Sequence, residues 1–132
     1  MRQKQSNDTA YDTGRIGEEL TAYYLTKAGY EILRRNYRVR GGEIDIIASK
    51  DDIIAFVEVK TRNISAMASG SESVGRRKRR LVIRAAQEYL FRSECPLQPR
   101  FDVSEVTVRE GRPVKIRYYD NAYQAPNDEF IL

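Results

Sequence analysis

The 132-residue sequence contains no histidine, and Cys95 is its one cysteine. The absence of histidine excludes Ser-His-Asp triads, histidine-dependent metal nucleases and zinc hydrolases with the usual ligand set. A single cysteine excludes an internal disulfide and a cysteine-based zinc site. Any metal ion must therefore be held by oxygen atoms, which favours Mg²⁺ or Mn²⁺.

The sequence also lacks long apolar stretches. No run approaches the roughly 20 residues that a membrane-spanning helix needs, and residues 1–14 contain no apolar segment typical of a signal peptide. We therefore expect a cytoplasmic protein without membrane contact. The length suits one domain with a substantial core. We place that domain at residues 12–120, between a mobile N-terminal segment at 1–11 and a C-terminal tail at 121–132.

The most informative stretch is residues 41–60, GGEIDIIASKDDIIAFVEVK. Apolar β-branched residues on both sides of a polar tetrapeptide predict two strands joined by a tight turn. If the hairpin folds about Asp51, Asp45 lies opposite Glu58, with Cβ atoms about 5 Å apart. Side chains alternate along a strand, so Lys60 shares the face of Glu58. Two facing carboxylates with an ammonium beside them suit a hard divalent cation.

A simpler interpretation of this hairpin is a cross-strand salt bridge on a solvated face. Two features favour a functional site instead. Val57 and Val59 bury the opposite face, and Phe56 lies on the charged side, which indicates that this side is not fully solvated. Buried charge is costly unless it is paired or bound to a metal ion.

Apolar periodicity divides the rest of the chain into helices and strands. Helical spacing predicts one helix from Asp12 or Thr13 to about Lys27 and a second over about 73–92. Alternating patterns predict strands over 30–39, 101–109 and 114–119, the last two forming a second hairpin. The order helix, three strands, helix, two strands (αβββαββ) indicates an α/β protein with helices flanking a mixed β-sheet.

Two further segments flank the hairpin. Glu18 in the first predicted helix either projects toward the hairpin or is a surface acid that the helix dipole favours near an N-terminus. The polar segment 61–75 follows Lys60 directly, and we expect it to be a flexible loop that closes over a substrate.

Basic residues are clustered on both sides of the hairpin, and the formal net charge is +4. Such clusters around a carboxylate pair form an electrostatic groove for a polyanion, although each could also be a solvated surface. The candidate nucleic-acid-binding residues are Arg35, Arg38, Arg62, Arg76, Arg77, Lys78, Arg79 and Arg80.

Several motifs together resemble the YraN family of small bacterial proteins and, more broadly, the PD-(D/E)XK nuclease superfamily. The resemblance spans nearly the whole chain and implies a restriction endonuclease-like core of the kind also found in Holliday junction resolvases. Ile44 stands where the superfamily has proline before its aspartate, a departure that leaves the chemistry untouched. The motifs are Gly14–Glu18, Arg35–Arg38, Gly42–Asp45, Phe56–Arg62, Arg100–Val103 and Asn121–Tyr123.

The resemblance also implies roles for single residues. Asp45, Glu58 and the carbonyl of Val59 would hold Mg²⁺ or Mn²⁺, with Glu18 joining them through water. The ion would bind a phosphate oxygen and lower the pKa of a bound water. Lys60 would orient that water, offset charge on the phosphorane and accept a proton.

The leading hypothesis is therefore a metal-dependent endonuclease that acts on DNA, including structured or branched DNA. One alternative is a non-catalytic nucleic-acid-binding module on a nuclease fold, and another is an adaptor whose basic surface binds a protein. Glu43 is interpreted as a surface acid or the partner of Arg38 in a salt bridge. The sequence allows a homodimer.

Overall fold

The computed structural model describes residues 6–64 and 76–125. Its order confirms the predicted α/β class, because a five-stranded mixed sheet packs against two helices. In the described ranges neither helix is long and apolar enough to cross a membrane. The elements are α1 (Ser6–Lys27), β1 (Glu31–Val39), β2 (Gly42–Lys50), β3 (Ile53–Asn63), α2 (Arg76–Ser93), β4 (Gln98–Arg109) and β5 (Arg112–Tyr123).

Several element boundaries differ from the predicted ones, and two of them differ most. Helix α1 begins at Ser6, before the predicted cap at Asp12 or Thr13, since no glycine or proline interrupts the helix between these positions. Strand β5 continues to Tyr123, beyond the predicted end at Tyr119. The helix therefore includes part of the segment expected to be mobile, and the sheet includes the first residues of the expected tail.

The predicted flexible segment 61–75 lies mostly beyond what the structure describes. Its first residues, Thr61–Asn63, are the end of β3. Residues 65–75 fall outside the described ranges, as do 1–5 and 126–132. The prediction that this segment closes over a substrate therefore stays a prediction.

The sheet runs in the order β1-β2-β3-β4-β5. All neighbours are antiparallel except β3 and β4, which are parallel. Parallel neighbours need a crossover connection, and α2 lies in that connection. Both predicted hairpins are confirmed, and the turn between β2 and β3 has Asp51 in the left-handed region at φ 54°. Aspartate tolerates this conformation because its short polar side chain can bond locally.

The two helices cover opposite faces of the sheet. One core cluster joins Ile47 and Phe56 to apolar residues of α2 such as Val82. The other joins Ile46 and neighbouring strand residues to Leu25 of α1. Ile46 and Ile47 are adjacent in one strand, so their side chains point to opposite faces. The continuous apolar run of the central strands is therefore explained by burial on both faces.

Helix α2 approaches β2 most closely at Gly42. A Cβ atom added there would lie 2.7 Å from both the amide nitrogen of Ala85 and the carbonyl oxygen of Leu81. These are main-chain atoms, which cannot move aside as a side chain can. The absence of a side chain at Gly42 therefore sets the distance between α2 and the strand that carries Asp45.

We expect Gly42→Ala to destabilise the protein by about 1–3 kcal/mol, the usual cost of overpacking. The matched control is Gly14→Ala in α1, where an added Cβ would meet nothing within 4 Å. That change should stabilise the helix by roughly 0.5–1 kcal/mol. Urea unfolding of both variants measures the difference, and equal effects would contradict the close packing at Gly42.

Candidate functional site

Strands β2 and β3 bring Asp45 and Glu58 to facing positions. The strands pair from Lys50 with Ile53 to Ile46 with Val57. The next positions in the same register are Asp45 and Glu58. This is the pairing that a turn at Asp51 predicts, because a two-residue turn fixes which residues face each other along the two strands that it joins.

The regular ladder is interrupted at Asp45. The backbone N–H of Val59 donates to Asp45 Oδ2 at 2.8 Å, a bond from main chain to side chain. Ile44 packs in the α2 cluster and Ile46 in the α1 cluster, so strict alternation breaks at the residue between them. Asn36, which stands opposite Asp45 in the register of β1, has a left-handed backbone with φ 52°. The interruption directs the Asp45 carboxylate toward β3.

Glu58 is almost fully buried, with 4% of its surface exposed. Its Oε1 atom has no hydrogen-bond partner among the described residues. A buried carboxylate oxygen without a partner is costly, and native structures usually provide one. Glu58 therefore has the properties expected of a ligand-binding group rather than of a structural one.

Both carboxyl groups titrate at higher pH than usual. Burial raises the pKa of Asp45, against the opposing effects of the Val59 N–H and of the positive charge of Lys78. Burial also raises the pKa of Glu58, and the negative charge of Asp45 raises it further. Lys78, Lys60 and Arg79 oppose the shift of Glu58. Acids whose pKa is shifted by burial and by identifiable neighbouring charges are typical of functional sites.

Lys78 lies in this site, although the sequence assigned it to the nucleic-acid-binding run. Its Nζ is 3.2 Å from Glu43 Oε2, and Arg38 Nε is 3.7 Å from Glu43 Oε1, which confirms the predicted Arg38 pair. Burial lowers the pKa of Lys78, but the bond to Glu43 and the charge of Asp45 raise it overall. Lys78 is four residues before the buried Val82, and this helical spacing is the signal that could have identified it.

Glu18 lies beside Asp45 at the edge of the site. Burial and the negative charge of Asp45 raise its pKa, while a hydrogen bond from the Asn36 side chain lowers it. Glu18 and Asn36 line a polar cavity of about 650 Å³ together with Arg15, Arg35 and Arg38. Sequence reasoning missed Asn36 and Arg15, because no local pattern links β1 to the middle of α1.

The remaining predicted basic residues are spread over several places. Arg62, Arg77 and Arg80 are exposed. Arg79 is also exposed, but its guanidinium lies 4.7 Å from the centre of the Tyr123 ring. Arg35 contacts Glu19 at 3.1 Å. The side chain of Arg76 lies outside what the structure describes.

The donors present fit an oxygen-liganded divalent ion. Within residues 6–64 and 76–125, no three acidic, cysteine or histidine side chains are close enough to hold a metal ion by themselves. Asp45 and Glu58 supply two carboxylates, and in these ranges one buried oxygen of Glu58 has no hydrogen-bond partner. In an extended strand the N–H and C=O of one residue point the same way. The Val59 carbonyl therefore faces the side where its N–H binds Asp45.

A family model for UPF0102, described as an uncharacterised protein family, matches residues 17–106. This range contains Glu18, Asp45, Glu58, Lys60 and Lys78, but it begins after Arg15. It stops before Tyr123, which packs beside them.

Relatives of similar length occur in several bacteria. A UPF0102 protein of Alkaliphilus oremlandii is 46% identical over 113 residues, which cover 83% of this chain and 96% of that protein. A relative in Chlorobium phaeobacteroides is 44% identical over 119 residues, covering 83% and 91%. Another in Flavobacterium psychrophilum is 38% identical over 112 residues, covering 85% and 93%. The names of these relatives state no substrate and no reaction.

The raised pKa values of Asp45 and Glu58 predict a pH-dependent stability. Between the ordinary carboxyl pKa of about 4 and the raised values, the folded protein binds more protons than the unfolded chain. The extra proton binding by folded Asp45 and Glu58 therefore contributes to the free energy of unfolding at low pH, and this contribution is lost as the pH rises. Asp45→Asn keeps an oxygen for the Val59 N–H but removes the repelling charge.

We expect metal-free Asp45→Asn to be more stable than wild type near pH 7 by about 0.5–2 kcal/mol, the usual gain when a functional site is disarmed. The difference should shrink toward pH 4. Urea unfolding at several pH values measures it, with Asp51→Asn in the exposed turn as the control. If wild type is instead more stable than Asp45→Asn at pH 7, the proposed repulsion between Asp45 and Glu58 is contradicted.

Proposed function

The chain belongs to the uncharacterised protein family UPF0102, and on that premise we propose that it is a metal-dependent endonuclease acting on DNA. The observation that carries the proposal is the buried Oε1 of Glu58, which has no hydrogen-bond partner among the described residues and lies beside the facing carboxylate of Asp45. We further propose that the sheet and helices form a restriction endonuclease-like core, as the motif of Asp45, Glu58 and Lys60 suggests. In this proposal the chain is a member of the YraN family and, more broadly, of the PD-(D/E)XK superfamily.

The proposed metal site uses donors from two adjacent strands. Asp45, Glu58 and the carbonyl of Val59 would hold Mg²⁺ or Mn²⁺, and Glu18 would contribute through water. When bound, such an ion polarises a phosphoryl oxygen and makes a bound water more acidic. Burial is the main cause that raises the pKa of Glu58, and an ion of charge +2 would offset the added repulsion from Asp45.

The neighbouring lysines have separate roles in this scheme. Lys60 donates a hydrogen bond that orients the attacking water, and its charge offsets the negative charge that develops on the phosphate. Hydrolysis joins the water oxygen to phosphorus while one phosphorus–ester oxygen bond breaks. The proton that the water loses is balanced by one that the departing oxygen takes from solvent. Lys78, held by Glu43, positions its charge beside both carboxylates.

Basic residues on two sides of the site would hold the DNA backbone. Arg77 and Arg80 are exposed near the start of α2. The polar cavity beside Glu18 carries Arg15, Arg35 and Arg38 on the other side. Phosphate contacts of this kind fix the register of the nucleic acid without reading its sequence. We therefore propose recognition by shape, including the shape of branched or otherwise structured DNA.

A module that only binds nucleic acid explains less of the site. Exposed arginines are sufficient for backbone binding. They do not explain why the half-buried Asp45 and the buried Glu58, two acids that repel each other and the substrate, lie side by side. A metal-dependent reaction explains the pair, because both carboxylates would be metal ligands. The binding module would be favoured by a protein that binds DNA and leaves it intact.

Lys60→Ala should reduce cleavage at least about 10²-fold, because it removes a charge that acts on the transition state. Asp45→Asn should reduce it further, because it removes a proposed metal ligand. Nicking of linear, flapped and four-way DNA with Mg²⁺ or Mn²⁺ measures both effects. Asp51→Asn, the same chemical change in the turn of the hairpin, is the control and should cleave as wild type does. Equal cleavage by all four proteins would contradict the proposed site.

Arg77 and Arg80 provide a test of the proposed DNA-binding surface. The double replacement by alanine should weaken binding equally for all sequences and lower the salt slope by up to about one unit per lost phosphate contact. Arg79 is left in place because it packs on Tyr123. The control replaces Arg112 and Lys115, two exposed residues of β5. If both pairs lower affinity and slope equally, binding is not localised at α2.

A further inference from the structure

Tyr123 lies on the same face of the sheet as Glu58. It pairs with Phe101 of β4, and Phe101 pairs with Phe56 of β3. The rings of Tyr123 and Phe101 are stacked with centres 5.3 Å apart. Tyr123 and Phe56 belong to the core cluster beneath α2, and Glu58 follows Phe56 by two positions on that face.

The hydroxyl of Tyr123 is buried and has no hydrogen-bond partner among the described residues. Only 9% of the Tyr123 surface is exposed. The pKa of this hydroxyl is raised, first by burial and next by the negative charge of Glu58, which indicates that the two groups are close. Arg79 lies over the Tyr123 ring, and its positive charge lowers the pKa of Glu58. Arg79 is therefore close to both groups.

Glu58 Oε1 and the Tyr123 hydroxyl are the two buried side-chain polar atoms without partners in the described ranges. One is an acceptor and the other can donate. They form no direct hydrogen bond with each other, yet they are close enough to interact electrostatically. One bridging water would satisfy both, because buried waters typically bind otherwise unsatisfied polar groups.

We propose that Tyr123 is a positioning residue, whose hydroxyl donates through one bridging water to Glu58 Oε1 and fixes the orientation of that carboxylate. Each carboxylate oxygen can accept more than one bond, so the same oxygen can also bind a metal ion. The part of this inference that concerns metal binding rests on the proposed function. Outer groups that orient a ligand in this way typically change metal affinity 10- to 100-fold when removed.

Packing alone does not explain a tyrosine at this position. A phenylalanine would fill the same space between Phe101 and Arg79 without a buried hydroxyl to satisfy. Tyr118 provides the contrast within the same strand. Its hydroxyl donates to Asp102 Oδ2 at 2.5 Å, and Asp102 also binds Arg100 at 2.8 Å, so its role is structural.

The test measures Mn²⁺ affinity by calorimetry, at a temperature where every variant is folded. Tyr123→Phe should weaken Mn²⁺ binding at least about tenfold, whereas the matched control Tyr118→Phe should leave it unchanged. Glu58→Gln removes a proposed metal ligand, and its Mn²⁺ affinity measures the effect of that loss. If wild type and Tyr123→Phe bind Mn²⁺ equally while Glu58→Gln does not, the role of Tyr123 is overturned and the metal site stands.

If wild type binds no Mn²⁺, the proposed metal site fails and a second measurement decides the role of Tyr123. A double-mutant cycle of Tyr123→Phe and Glu58→Gln should show a coupling of at least about threefold in the unfolding equilibrium constant. The control cycle of Tyr118→Phe and Glu58→Gln should be additive. Additivity in both cycles would overturn the bridge between Tyr123 and Glu58.

Discussion

The facing arrangement of Asp45 and Glu58 is the constraint on which the rest of the site depends. Two carboxylates on neighbouring strands repel each other, and burial increases the cost of their charge. The protein offsets part of this cost with the Val59 N–H and with the positive charge of Lys78. The offset is incomplete, because both pKa values remain raised and one oxygen of Glu58 has no hydrogen-bond partner in the part of the chain that the structure describes. A site of this kind sacrifices stability, and a bound cation is the simplest way to recover it.

Local patterns were sufficient to predict the hairpin and the order of the elements. A two-residue turn at Asp51 sets the register of β2 and β3, and that register alone puts Asp45 opposite Glu58. The same reasoning did not place Lys78 in the site. Its spacing to Val82 indicates which face of α2 carries it, but its distance from Asp45 depends on how closely α2 approaches β2 at Gly42. That distance is a long-range property of the packed core, and no local sequence pattern encodes it.

Other partners of the site were missed for the same physical reason. Asn36 forms a hydrogen bond to Glu18 from a position of β1 with a left-handed backbone, which strand periodicity does not predict. Tyr123 was assigned to the tail, yet the extended β5 brings its ring beneath α2. The alternation of apolar residues also failed at Asp45, where Ile44 and Ile46 pack on opposite faces. The irregular positions of β1 and β2 are therefore the ones that shape the site.

The most direct test of the proposed site is the location of a bound ion. Crystals grown without metal and then soaked in Mn²⁺ can be measured for anomalous scattering. We predict one strong peak within about 2.0–2.6 Å of a carboxylate oxygen of Asp45 and of Glu58, the range of oxygen ligands to divalent ions. A strong peak elsewhere on the protein, with none between these carboxylates, would contradict the assignment of the metal site.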